Sequence, residues 1–361
     1  MDFTPKAIID LAALRHNLAL AQRQAPQAQV MAVIKANAYG HGVERVLPAL
    51  EQAQGLAVAR CDEALRLRAL GARKPILVMG GAYNIEMISA AAEQGLILAV
   101  HHPGQIDLLE SLPKKALPRC VPKIDSGMHR LGLLPEQTEA AMARLKALNC
   151  LGEQPLLMTH MACADDPTSA MTDRQWRQIQ PLLQRYDAQL SAANSALILS
   201  RPEMQGNWVR PGIMLYGASP FIQRSGPEVG LRPVMTLQAP LLAVKYLKKG
   251  ETLGYGATWT LPEDMPVGVV GIGYGDGYPR HAPTGTPVLL NGAEVSLVGR
   301  VSMDMITVDL RRQPQARVGD WATLWGRGLA ADRIAQVAGT IAYQLFCNLT
   351  SRVRVEIHGQ G

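Results

Sequence analysis

Short apolar runs recur along the first two-thirds of the chain, separated by stretches with helical periodicity. Eight follow in order: residues 29–36, 55–60, 75–81, 96–102, 119–127, 155–162, 189–195 and 208–217. Most lack the polar alternation of a half-solvated strand, so both faces are expected to be covered, as in a parallel sheet. Between them, Ala141, Leu145 and Leu148 share one helical face, and Pro135 and Thr172 stand where helices begin. Eight strands alternating with helices predict an α/β fold with an N-terminal (β/α)8 barrel, a doubly wound open sheet being the rival arrangement. Residues 218–233 read as a linker. Beyond it come short β-rich runs broken by Gly and Pro, with one helix expected at 331–340, which predicts a C-terminal mostly antiparallel β domain. The expected division is 8–225 for the barrel and 226–361 for the β-rich domain, to which residues 1–7 could also belong.

Composition narrows the class. At 361 residues and 48% hydrophobic content, the chain can bury two sizeable cores. Its net charge of +6 is spread among acids, and aromatics are only 5%, so no nucleic acid is expected as a partner. Cys61, Cys120, Cys150, Cys163 and Cys347 are dispersed and odd in number, which fits reduced thiols better than a disulfide framework or a zinc site. The first residues carry acids and a proline instead of a signal-peptide pattern, and no apolar stretch is long enough to span a membrane. A soluble cytoplasmic protein is expected.

Polar residues interrupt the apolar runs at one recurrent place. Lys35, Lys123, His160, Asn194, Ser195, Arg210 and Gly212 all fall toward the carboxyl ends of their runs, and Arg130 follows in a loop. On a barrel these positions share one rim, where barrel enzymes build their sites. Each alone has an ordinary structural explanation, but their coincidence on one rim does not. A desolvated lysine amine can form a Schiff base with an aldehyde. Ser195, the backbone after Arg210 and Tyr39 could seat a phosphate. Metal-ligand spacing is absent, so no metal is expected. Lysine and phosphate seat together point to pyridoxal phosphate, or to a Schiff-base aldolase acting on a phosphosugar. The glycines of "GIGYGDGY" lie in the β-rich region without a following helix, so a dinucleotide loop is not expected there.

The stretch "AVIKANAYGHG" resembles the coenzyme-lysine motif of the alanine racemases, and the resemblance spans nearly the whole chain. It continues through "KIDSGMHRLG", "MTHMA", "NSA", "WVRPGIMLYG", "LGYGATW", "GYGDGYPR", "GRVSMDM" and "IAYQL" with "TSRV". The resemblance implies pyridoxal 5'-phosphate on Lys35, with Lys35 as one base and Tyr255 from a partner subunit as the other, in a homodimer with shared active sites. It implies L- and D-alanine as substrate, with Arg130 and the Met303 backbone binding the carboxylate. Tyr39, Ser195, Gly212, Ile213 and Tyr343 match phosphate-binding positions, and Arg210 faces the ring nitrogen with His160 holding it. Lys123, often carbamylated in the family, would steady Arg130, and Tyr274 with Tyr343 would narrow the entrance. Ser191 stands where some relatives have histidine, a difference expected to alter only packing under the ring.

Overall fold

The computed structural model describes residues 3–359, which divide into two compact units. After strand β1 (Lys6–Asp10) come eight more: β2 (Gln29–Val33), β3 (Gly55–Val58), β4 (Ile76–Val78), β5 (Ile97–Val100), β6 (Arg119–Pro122), β7 (Leu156–Met158), β8 (Gln189–Ser191) and β9 (Trp208–Val209). From β2 to β6 each strand pairs in parallel with the next, and β9 pairs back on β2. The parallel pair β7–β8 fills the remaining gap. Ile124 N–H donates to the Met158 carbonyl at 2.8 Å on one side, and Arg210 N–H to the Ala193 carbonyl at 2.8 Å on the other. Because β9 meets β2, the eight strands form a ring, which excludes the open-sheet alternative.

Burial explains the uninterrupted apolar runs: every residue of β3, β4 and β5 is buried. Helices occupy the crossovers, as parallel pairing requires. Pro135 opens the helix Pro135–Ala147 at a position where its missing N–H costs nothing. Asn84 and Asn194 cap the helices Ile85–Glu93 and Ser195–Ser200 through N–H groups of Met87 and Leu197. The barrel unit comprises Leu18–Ala38 and Gly42–Leu215.

The second unit holds the chain through Asn17, the short stretch Tyr39–His41, and everything from Tyr216 onward. Its strands are β1 with β10 (Met235–Leu247), β11 (Thr252–Leu253), β12 (Trp259–Thr260), β13 (Met265–Val270), β14 (Pro287–Leu290), β15 (Ala293–Ser296), β16 (Ile306–Asp309), β17 (Trp321–Trp325) and β18 (Arg354–His358). The long β10 organises them, pairing antiparallel with β1, β17 and β13. Its pairing changes from β17 to β13 around a bulge near Leu241, next to Pro240, which has no N–H to give a ladder. Among the described residues only β18 departs from antiparallel order in this sheet, running parallel to β1. The helix expected at 331–340 ends at Val337, and Gly339 at φ +67° turns the chain into a second helix, Ala342–Cys347. Residues 218–233 are anchored: Asp332 accepts the N–H groups of Ser219 at 3.0 Å and Gly226 at 2.8 Å.

Candidate active site

The polar groups singled out on the barrel each follow the carboxyl end of a strand: Lys35 after β2, Lys123 after β6, His160 after β7, Ser195 after β8 and Arg210 after β9. Arg210 is almost wholly buried, at 3% exposure. Burying a guanidinium calls for acceptors at its donors, and the strand ends provide them for both terminal nitrogens. One terminal nitrogen donates to the Ser191 carbonyl at 2.7 Å and to the Ser191 hydroxyl. The other donates to the Thr159 carbonyl at 2.8 Å and lies 3.4 Å from His160 Nδ1. Among the described residues the Arg210 Nε–H has no acceptor, and no carboxylate bonds the group. Desolvation lowers the Arg210 pKa to about 10, so it remains cationic at neutral pH.

The surroundings are predominantly positive. Desolvation first, then the charges of Arg210, Arg130, Lys123 and Lys35, push the His160 pKa down to about 3. The imidazole is therefore neutral and can accept a bond from Arg210. Lys123, 6% exposed, is lowered to about 8 by desolvation and by Arg210, Arg130 and Lys35, against one opposing carboxylate, Asp125. Such a concentration of positive charge calls for anionic ligands. Ser195 Oγ accepts the N–H groups of Gly212 at 3.0 Å and Met214 at 3.3 Å, which leaves its own hydrogen to donate. Ile213 begins the tight turn Ile213–Tyr216 in the same segment.

Lys35 stands at a backbone irregularity. Ala36, Asn37, Ala38 and Tyr39 all have φ between 52° and 55°, a complete left-handed turn without glycine. Such residues cost about 1–2 kcal/mol each, with Asn tolerated best. Local bonds offset part of this: Asn37 Oδ1 accepts Val43 N–H at 3.0 Å, and the Asn37 carbonyl accepts Gly42 N–H at 3.0 Å. Gly40 follows at φ +78°, where an added Cβ would collide with the Phe346 carbonyl.

In the second unit, the buried Tyr39 stacks on Tyr216 at 4.7 Å between ring centroids and meets Tyr343 at 5.7 Å. Burial raises its pKa far above the ordinary value, so the phenol keeps its proton for donation. Tyr274 and Met303 are neighbours: Tyr274 N–H donates to the Ser302 carbonyl at 3.1 Å and Gly275 N–H to the Met303 carbonyl at 2.8 Å. Among the described residues the Met303 N–H has no acceptor. Tyr255 lies at the tip of the β11–β12 hairpin, 70% exposed, between Gly254 and Gly256 in left-handed conformations. Leu253 and Trp259 root that hairpin on the core of Leu261, Met265, Val267 and Val298.

Three barrel residues carry more than their sequence context signals. Ser191 accepts twice from Arg210, so the serine expected to affect only packing is a principal holder of the guanidinium. Gln175, wholly buried on the helix Met171–Tyr186, donates to the His160 carbonyl at 2.9 Å and accepts Ala162 N–H at 2.8 Å. Glu63 bonds the backbone beside Lys35. A glutamine in a polar amphipathic helix and an acid in a first helical turn are too ordinary to attract notice.

Profiles of the alanine racemase N-terminal and C-terminal domains match residues 9–220 and 234–357. The chain belongs to the alanine racemase family. The alanine racemase of Nitrosococcus oceani is 49% identical over 354 residues, covering 97% of this chain and 98% of that protein. That of Coxiella burnetii is 46% identical over 353 residues, covering 96% and 97%. The solved biosynthetic alanine racemase of Pseudomonas aeruginosa aligns with a TM-score of 0.95 at 42% identity, covering 99% of this chain and all of that one. The Bartonella henselae alanine racemase, solved with covalently bound pyridoxal phosphate, aligns at 0.89 and 27% identity, covering 98% and 99%. Alanine racemases depend on pyridoxal phosphate, and the chain is accordingly a racemase, an isomerase.

Two measurements probe this geometry. Exposed Ala36, replaced by glycine, loses the penalty of its positive φ; Ala36→Gly should stabilise the coenzyme-free protein by about 1 kcal/mol in urea unfolding. A loss of stability would mean that the turn is not strained. Between pH 8 and 10.5 the unfolded chain binds more protons at Lys123 than the folded one, so stability from this group rises with pH across that window. Lys123→Met should therefore be more stable than the parent at neutral pH by roughly 2 kcal/mol in bicarbonate-free buffer. That margin should shrink toward pH 10.5, and a constant margin would count against a buried charged amine.

Proposed function

We propose that the chain interconverts L- and D-alanine in the cytoplasm as a homodimer, with pyridoxal phosphate joined to Lys35. The Lys35 amine is one base and the Tyr255 phenol of a second copy is the other. The observation that carries this reading is the cationic barrel mouth, in which a buried guanidinium keeps one donor, the Arg210 Nε–H, without an acceptor among the described residues. A pyridine nitrogen, which only accepts, fits that donor. Ser195, with the backbone of Gly212 and Ile213, fits the phosphate, a role the resemblance extends to Tyr39 and Tyr343. When bound, the coenzyme withdraws electrons from the substrate's α-carbon, less strongly than a protonated ring would, because Arg210 can only donate to its nitrogen.

The remaining work belongs to the protein. Inverting a carbon centre requires removal of a proton from one face and delivery to the opposite face, and one amine cannot easily do both. Lys35 Nζ exchanges the proton on its side, and Tyr255 Oη exchanges it on the other. The exposure of Tyr255 on a firmly rooted hairpin supports its reaching a neighbouring copy, as does that of Met303, at 51%. Arg130 holds the substrate carboxylate with charge-assisted bonds, joined by the Met303 N–H of the second copy. Lys123 steadies Arg130. Its pKa of about 8 leaves an appreciable unprotonated fraction at neutral pH, the form that adds carbon dioxide, and the resulting carboxylate would pair with Arg130. Tyr274 and Tyr343 restrict the substrate to a small side chain.

Lys35→Ala should abolish both activity and the visible absorbance of lysine-bound coenzyme; persistence of that absorbance would assign the linkage to another lysine. Tyr255→Phe should retain coenzyme yet slow racemisation by roughly 10²-fold or more, the scale of lost general catalysis. An unchanged rate in both directions would remove the phenol from the chemistry. Incubation with a panel of L-amino acids in deuterated water, followed by chiral separation, should give D-alanine carrying α-deuterium. Racemisation without deuterium uptake would contradict proton exchange at Lys35 and Tyr255.

A further inference from the structure

We propose that Glu63 is a positioning residue that fixes the direction of Lys35 by bonding the backbone immediately after it. The inference rests on Lys35 being the coenzyme lysine. Glu63 Oε1 accepts the Ala36 N–H at 2.6 Å, while Oε2 accepts the N–H groups of Ala59 at 2.9 Å and Arg60 at 3.0 Å. The bonds of Oε2 are what a glutamate in the first turn of a helix ordinarily makes, here closing the start of Cys61–Ala69. The bond of Oε1 is not part of that cap: its partner lies 27 residues earlier, on the neighbouring strand's exit.

That partner is the first residue of the left-handed turn. Ile34 is still in register with β3, its N–H donating to the Ala57 carbonyl at 2.9 Å, and Ala36 already has φ 52°. The chain thus reverses its handedness across Lys35, and the Lys35 Cα–Cβ vector is set by the two ends of that reversal. The β3 ladder fixes one end, and the Glu63 carboxylate fixes the other. Ala36 is an exposed residue with no intrinsic preference for positive φ, so an ordinary backbone conformation is open to it once the bond is lost. A bond between an ionised carboxylate and a backbone N–H is stronger than a neutral one. It is also anchored, because Oε2 ties the same side chain to the end of β3, the strand paired with β2.

The test combines hydrogen–deuterium exchange on the coenzyme-free protein with kinetics of the holoenzyme. In Glu63→Ala, amide exchange in a peptide spanning residues 35–40 should accelerate by about 10-fold or more, the direct signature of the freed Ala36 N–H. In the holoenzyme kcat should fall by about 10-fold or more with KM changed less than about threefold, since misdirecting the amine spoils orientation more than binding. If Glu63→Ala fails to fold, Glu63→Gln, isosteric and still able to accept through one oxygen, should show both changes to a smaller degree. Exchange altered only within 61–69, or parent-like exchange and kcat in the folded variant, would overturn the proposal by reducing Glu63 to a helix cap. Borohydride reduction of the parent holoenzyme and peptide mapping separates the two readings. Coenzyme trapped on a different lysine overturns the proposal together with the Lys35 assignment; trapping on Lys35 with unchanged exchange overturns the positioning role alone.

Discussion

A guanidinium leaves water at low cost only where most of its donors are met, and the barrel meets the terminal donors of Arg210 with Ser191 and Thr159 at the ends of adjacent strands. Parallel strands closing into a ring place their last carbonyls and first loop residues around one opening. The charges of Arg210, Arg130 and Lys35 all lower the Lys123 pKa there, opposed by the Asp125 carboxylate. The same desolvation that keeps His160 neutral keeps Lys123 near the edge of ionisation. Fold and electrostatics are therefore one device: without the closed ring, neither the held guanidinium nor the depressed amine would exist.

The turn after Lys35 shows the opposite use of strain. Three residues that disfavour positive φ, and one asparagine that tolerates it better, hold a conformation that local preference alone would not maintain. Asn37, Gly42 and Glu63 together secure it from both directions along the chain. The turn thereby holds the backbone beyond Lys35, and with it the direction in which the lysine side chain leaves the chain.

Much of this was legible in the sequence, for identifiable reasons. The barrel strands announce themselves because both faces are buried, so runs such as Gly55–Val58 contain nothing polar. Lys35, Lys123, His160 and Arg210 stand out because each interrupts or ends such a run. Glu63 does not stand out, since half of its bonding is what any helix-initiating acid does and the other half depends on a distant backbone. Ser191 hides in an apolar stretch as a small residue whose value is its carbonyl and hydroxyl. The left-handed turn is hidden for a different reason: alanine and tyrosine carry no signal for it, and tertiary bonds override local preference.

Strand β1 lies between β10 and β18, which come from residues 235–247 and 354–358. Barrel strands emerge from a ribosome in the order in which they pair, neighbour beside neighbour. By contrast, β1 emerges before the barrel and is completed only after it, with Ala7 and Ile9 bound for the interior of a sheet that does not yet exist. Its apolar face therefore stays unpartnered while the barrel strands are synthesised, within reach of chaperones and of other nascent chains, and the β unit can close only once β10 and β18 have followed.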